Sequence, residues 1–123
     1  IIKIGDFGVS KYFKTTKHKT IVGTPYYIAP EVINSEGYNN SIDYWALGVI
    51  IYELITFKKP FNGRHYYQLM IQIVRNNYDL NIIPDKYRIM IHYLLHPKPE
   101  HRYNHKNLII YFNKIIHLPL INK

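Results

Sequence analysis

Gly23-Thr24-Pro25-Tyr26-Tyr27-Ile28-Ala29-Pro30-Glu31, followed further on by Asp43-Tyr44-Trp45-Ala46-Leu47-Gly48, are the stretches on which the reading of this chain turns. Gly23-Thr24-Pro25 punctuates the end of a loop. Pro30 stands where a first helical turn tolerates a residue without an N–H, which predicts a short helix through Glu31-Val32-Ile33 and then a turn over Asn34 to Asn40. With Asn40 or Ser41 as N-cap, a longer helix begins. In it Ile42, Trp45, Ala46, Val49 and Ile50 make one apolar face, and Leu47, Ile51, Leu54 and Ile55 make another. A helix apolar on nearly all sides is expected to be buried.

Upstream, Ile1 to Ile4 is short, β-branched and followed by Gly5-Asp6-Phe7-Gly8, which reads as a strand entering a turn. From Val9 to Thr24 no periodicity holds and polar residues prevail, a loop of the length that carries function or disorder. Downstream, Tyr66, Leu69, Met70, Ile73 and Val74 predict an amphipathic helix from Arg64 to Asn76. Met90, Ile91, Leu94 and Leu95 mark another, ended by Pro97 and Pro99, and Leu108, Phe112, Ile115 and Ile116 a last one, capped by Asn104 and ending before Pro119. The pattern is α+β: a mainly helical unit with one N-terminal strand that has no partner in the sequence. That orphan strand, and a first residue that is Ile1 rather than Met, lead to the expectation that sequence upstream is missing.

The 123 residues carry a net charge of +8, 47% hydrophobic residues and no cysteine. This excludes a disulfide scaffold, a thiolate zinc site and a cysteine nucleophile, and makes a reducing compartment, cytoplasm or nucleus, the expectation. The apolar run Ala46 to Tyr52, broken at Gly48 and stopped by Glu53, is far short of the ~20 residues of a membrane span, so no membrane association is expected. Heavy use of Ile, Asn, Lys and Tyr is what an AT-rich coding sequence favours, and the lysines are scattered except over Lys11 to Lys19, so the basic excess is discounted as a binding signal.

Asp6-Phe7-Gly8, the polar loop, Ala29-Pro30-Glu31 and Asp43-x-Trp45-x-x-Gly48 occur in the order and spacing of the eukaryotic protein kinases, which the chain resembles over essentially its whole length. The resemblance implies the C-terminal lobe of a kinase fold over residues 1–118, with 119–123 as a tail. It also implies ATP and Mg²⁺ as cofactors and transfer of the γ-phosphate to a protein substrate. Within these residues there is no G-x-G-x-x-G loop, no phosphate-pairing strand Lys with its helix Glu partner and no H-R-D catalytic loop; His101-Arg102 is followed by Tyr103 and lies far downstream. The alternative reading is a catalytically inactive kinase-like scaffold or regulatory module.

Roles follow by resemblance. Asp6 is the Mg²⁺ ligand, Phe7 the packing residue beside it, and Gly8 the source of backbone freedom. Thr20, four residues before Thr24, occupies the position of an activating phosphothreonine, with Lys11 as a phosphate partner and an upstream activating kinase implied. Thr24 matches the residue that bonds the catalytic Asp and shapes the acceptor pocket; with Pro25-Tyr26-Tyr27 it resembles the Ser/Thr-specific segment. Glu31 and Arg102 are expected to form a buried ion pair, although Lys98 and Tyr103 depart from the usual flanks of that Arg. Asp43 is expected to be buried against the catalytic-loop backbone and Trp45 to pack in the lobe. The stretches Thr20–Tyr27 and Tyr52–Phe61 look most like the NIMA-related kinases.

Two further patterns are read as structural. His92 and His96 lack a third ligand at metal spacing. Tyr66, Tyr67, Tyr93 and Tyr111 fall within helices where packing accounts for them, so no nucleic-acid partner is expected. Oligomeric state is not legible. Expressed alone, these 123 residues are expected to be poorly soluble, because Asp43 and the first strand lack partners.

Overall fold

The computed structural model describes the backbone of residues 25–121 and the side chains of residues 25–116. The strand expected at Ile1–Ile4, the turn at Asp6 and the polar loop lie outside the described residues. After a 3-10 turn at Pro25–Tyr27 come α1 (Pro30–Ile33), α2 (Ser41–Thr56), α3 (Tyr66–Val74), α4 (Asp85–Leu94), a second 3-10 turn at Pro99–His101, and α5 (His105–Ile121). The described residues are helical, in keeping with a mainly helical lobe.

The helix ends are set by short-range hydrogen bonds. Pro30 opens α1; at the start of α2 Asn40 holds the cap position but makes no side-chain cap bond, and the Asn39 side chain accepts from the Ser41 amide at 2.9 Å instead. Helix α2 stops where Phe57 takes a left-handed conformation, φ 61°, and returns its N–H to the Glu53 carbonyl at 2.8 Å. Helix α3 is shorter than expected: His65 is extended and acts as cap, its Nδ1 accepting from Gln68 N while Gln68 Oε1 accepts from Arg64 N, and Asn76 turns left-handed at φ 54°. Asn104 caps α5 by accepting from the amides of Lys106 and Asn107, with the Asn107 side chain returning the bond. Contrary to the expected stop before Pro119, α5 runs on to Ile121: near a C-terminus a proline sacrifices one backbone donor, which the remaining turn tolerates.

Helix α2 is the element around which the others gather. Helix α4 crosses it at Gly48, where a Cβ would come within 2.8 Å of Leu94 Cβ and 2.9 Å of Leu95 Cδ2; only glycine admits that approach. Both 3-10 turns lie against α2, α1 packs on α3, and α5 packs on α4. Trp45, Val49, Tyr52, Phe61, Ile73, Ile83, Met90, Ile91, Leu94 and Leu95 form the dry centre. The Trp45 and Phe61 rings stack at 5.5 Å, 7° apart.

Two expectations about burial, for α2 and for the tyrosines of α3, do not hold, and α5 is covered along one stripe. Helix α2 is covered on one side only: Trp45, Gly48, Val49 and Tyr52 are buried, but Ile50 is 44% and Leu54 69% exposed, because no described element lies over them. On α5, Leu108 is buried while Phe112 and Ile116 face outward, since α4 meets that helix along a single stripe. Packing does not account for Tyr66 and Tyr67, which are 50% and 71% exposed, because the face of α3 turned to the core is Leu69, Met70 and Ile73.

Candidate functional site

Arg102 gathers three separate parts of the chain. Its Nη1 donates to Glu31 Oε2 at 2.8 Å and its Nη2 to Glu31 Oε1 at 3.0 Å, a parallel two-bond pair in which the side chains are 0% and 1% exposed. Nη1 also donates to the Ser41 carbonyl at 3.1 Å, and Nε and Nη2 donate to the His96 carbonyl at 3.1 and 2.9 Å. Every N–H of the guanidinium thus has an acceptor, and its Cζ lies 5.2 Å from the centre of the Trp45 ring. The group locks the start of α1 to the N-terminus of α2 and to the segment after α4.

The other residues expected in the site are placed differently. Trp45 is fully buried, and its Nε1–H finds no acceptor among the described residues. Asp43 is exposed in the first turn of α2, not buried: the backbone assigned to it belongs to a catalytic loop these residues lack, so water solvates the carboxylate at a favourable helix N-terminus. Asp6, Phe7, Gly8, Lys11, Thr20 and Thr24 lie outside the described residues. Among those described, no group of three His, Cys, Asp or Glu side chains is arranged to hold a metal. The His92 and His96 rings stand 5.9 Å apart. No described helix is long and apolar enough to cross a membrane.

Beside the turn Pro25–Tyr27, which follows Thr24 in sequence, opens a groove of about 850 Å³. Its lining includes Tyr26, Glu53, Phe57, Lys59, Tyr78 and Ile82. The Tyr27 hydroxyl donates to Glu53 Oε1 at 3.3 Å and Lys59 Nζ to Glu53 Oε2 at 3.0 Å, while the same ammonium sits 5.1 Å over the Tyr26 ring. The hydrogen bond to Glu53 pushes the Lys59 pKa up; partial burial, aided by the Glu53 charge, does the same to Tyr27. Underneath, Tyr52 donates to the Asp79 carbonyl at 2.9 Å, and burial with Tyr52 nearby pushes Tyr78 up to about 12. Sequence reasoning missed this trio. Tyr27, Glu53 and Lys59 share no motif spacing, and only the return of α2 to the turn after Thr24 brings them together.

The sequence profile of the family described as Protein kinase domain matches residues 1–112. The chain belongs to that family. It is similar to the probable serine/threonine-protein kinase nek3 of Dictyostelium discoideum, 37% identical over 129 aligned positions that take in 99% of this chain and 11% of that protein. Human serine/threonine-protein kinase Nek5 is 39% identical across 63% of the chain, and the G2-specific protein kinase fin1 of Schizosaccharomyces pombe 44% across 62%, each over 11% of its own length. The chain therefore spans about a tenth of the length of these kinases. In the kinase fold its described helices are those of the C-terminal lobe, and Glu31 is the carboxylate of the Ala29-Pro30-Glu31 triplet.

Proposed function

We propose that this lobe belongs to a serine/threonine protein kinase that transfers the γ-phosphate of ATP to hydroxyls of protein substrates. The observation that carries the reading is the clamp on Glu31. Arg102 fixes the segment that leaves Thr24 through the turn Pro25–Tyr27, and phosphoryl transfer depends chiefly on such positioning. Asp6 supplies the hard carboxylate oxygen that Mg²⁺ takes, and a bound metal neutralises charge on the phosphates. Thr24 shapes the acceptor pocket, and the groove at the turn that follows it in sequence receives the chain of the acceptor. Phosphorylation of Thr20, neutralised by Lys11 and catalysed by an activating kinase, orders the loop between Asp6 and Thr24.

The test is phosphoryl transfer by the full-length protein with Mg²⁺-ATP on a mixed Ser, Thr and Tyr peptide library. Phosphoserine and phosphothreonine are expected, falling to background in Asp6→Asn and severalfold in Thr20→Ala. Equal activity in Asp6→Asn would overturn the role of that carboxylate. No transfer by the wild-type protein would leave a catalytically inactive scaffold.

A further inference from the structure

Glu53 is a carboxylate in an open groove, and left free it would draw a cation from whatever binds there. It is not free. Lys59 and Tyr27 each hold one of its oxygens, and Lys59 is further seated over the Tyr26 ring. The remaining charges of the lining, Lys58 and Asp79, are of opposite sign, so among the described residues the lining is neutral and its ion pair is closed on itself. Two apolar side chains stand out among the polar ones of the lining: Phe57, whose backbone is left-handed, is 89% exposed, and Ile82 is 42% exposed. Tyr26, two residues after Thr24 in the sequence, forms part of the wall, which on the kinase reading puts the groove on the course of an acceptor peptide.

We infer that Lys59 is a specificity-determining residue: it fills the cation subsite at Glu53 from within the chain, so that acceptor peptides are taken with an uncharged rather than a basic side chain at that point. The inference rests on the kinase reading for the identity of the occupant. A peptide Arg reaching Glu53 has to displace Lys59 from both the carboxylate and the Tyr26 face while two cations share the space. An uncharged side chain leaves the pair intact and lies against Phe57 and Ile82.

The experiment uses the full-length protein, wild type and Lys59→Met, the latter keeping the side-chain stem over Tyr26. A single Arg, or Ala as control, is walked through the residues flanking the acceptor Ser of one peptide, and both dissociation constants by fluorescence polarisation and kcat/KM for transfer are measured. Wild type is expected to treat Arg and Ala alike within about twofold, whereas Lys59→Met favours Arg at one position by about fivefold, the worth of one solvated charge pair. Lys59→Met combined with Glu53→Gln should erase that preference, and raised salt should weaken it. An unchanged Arg profile in Lys59→Met, a preference that survives Glu53→Gln, or no measurable peptide binding by either protein overturns the inference. A shift in binding without any phosphate transfer keeps the groove and removes the kinase reading; transfer with no shift does the reverse.

Discussion

Two carboxylates in this lobe have both oxygens occupied, and they do different work. Glu31 is gripped by one buried guanidinium whose other donors reach two backbone carbonyls. Glu53 is held by a lysine and a tyrosine with about a third of its side chain still in water. Buried, a pair cannot lose one member without stranding a charge, so it sets geometry. Partly in water, a pair adds little to stability and its partners can be exchanged, so it can set preference.

The sharpest way to break that contrast is to remove one member of the buried pair. Glu31→Ala should cost about 3–5 kcal/mol, read as a lower denaturant midpoint, and Arg102→Ala about the same, with the double variant far short of the sum. A loss under 1 kcal/mol for Glu31→Ala would erase the distinction. Next in size is the approach that lets α4 reach α2: Gly48→Ala should destabilise by about 1–3 kcal/mol despite alanine's better helix propensity, because Leu94 and Leu95 have to move. At the exposed pair, Lys59→Met should change stability by about 0–1 kcal/mol while changing peptide choice.

The smallest effects come from pH, on opposite sides of neutrality. Burial and the Tyr52 hydroxyl raise Tyr78 to about 12, so its contribution is intact below the unfolded value near 10 and is lost as pH rises through the folded one. Ultraviolet titration of tyrosinate should find this group late, and Tyr78→Phe should flatten the alkaline loss. His96 is shifted the other way, by burial first and then by His101, His92, Arg102 and Lys98. Its folded pKa lies below the unfolded one, so stability is full above about 6.5 and declines as pH falls through the folded value. Protonation would also remove the acceptor at His96 Nδ1 that takes the Lys98 amide at 3.1 Å. Melting curves between pH 7.5 and 5.5 should show a modest decline that His96→Gln reduces.

Much of this was legible from residues alone. Asn104 as a cap, Pro30 at a helix start and the break between α2 and α3 are local matters, and the meeting of Glu31 with Arg102 followed from the resemblance carried by Ala29-Pro30-Glu31. The groove was not legible, because Tyr27 and Glu53 lie 26 residues apart and nothing in either neighbourhood announces the other. Nor could Asp43 be placed correctly: its burial was tied to backbone that these 123 residues do not contain.

What the sequence by itself determined is the helical order, the Asn104 cap and the membership of a family, since these rest on backbone hydrogen bonding within a few residues and on motif spacing. Only the tertiary structure decided which side of α2 is covered, which carbonyls complete the Arg102 shell and which cation sits on Glu53. The physical reason is that burial and charge pairing depend on what arrives from elsewhere in the chain: Ile50 and Val49 are adjacent and equally apolar, yet one is 44% exposed and the other fully buried.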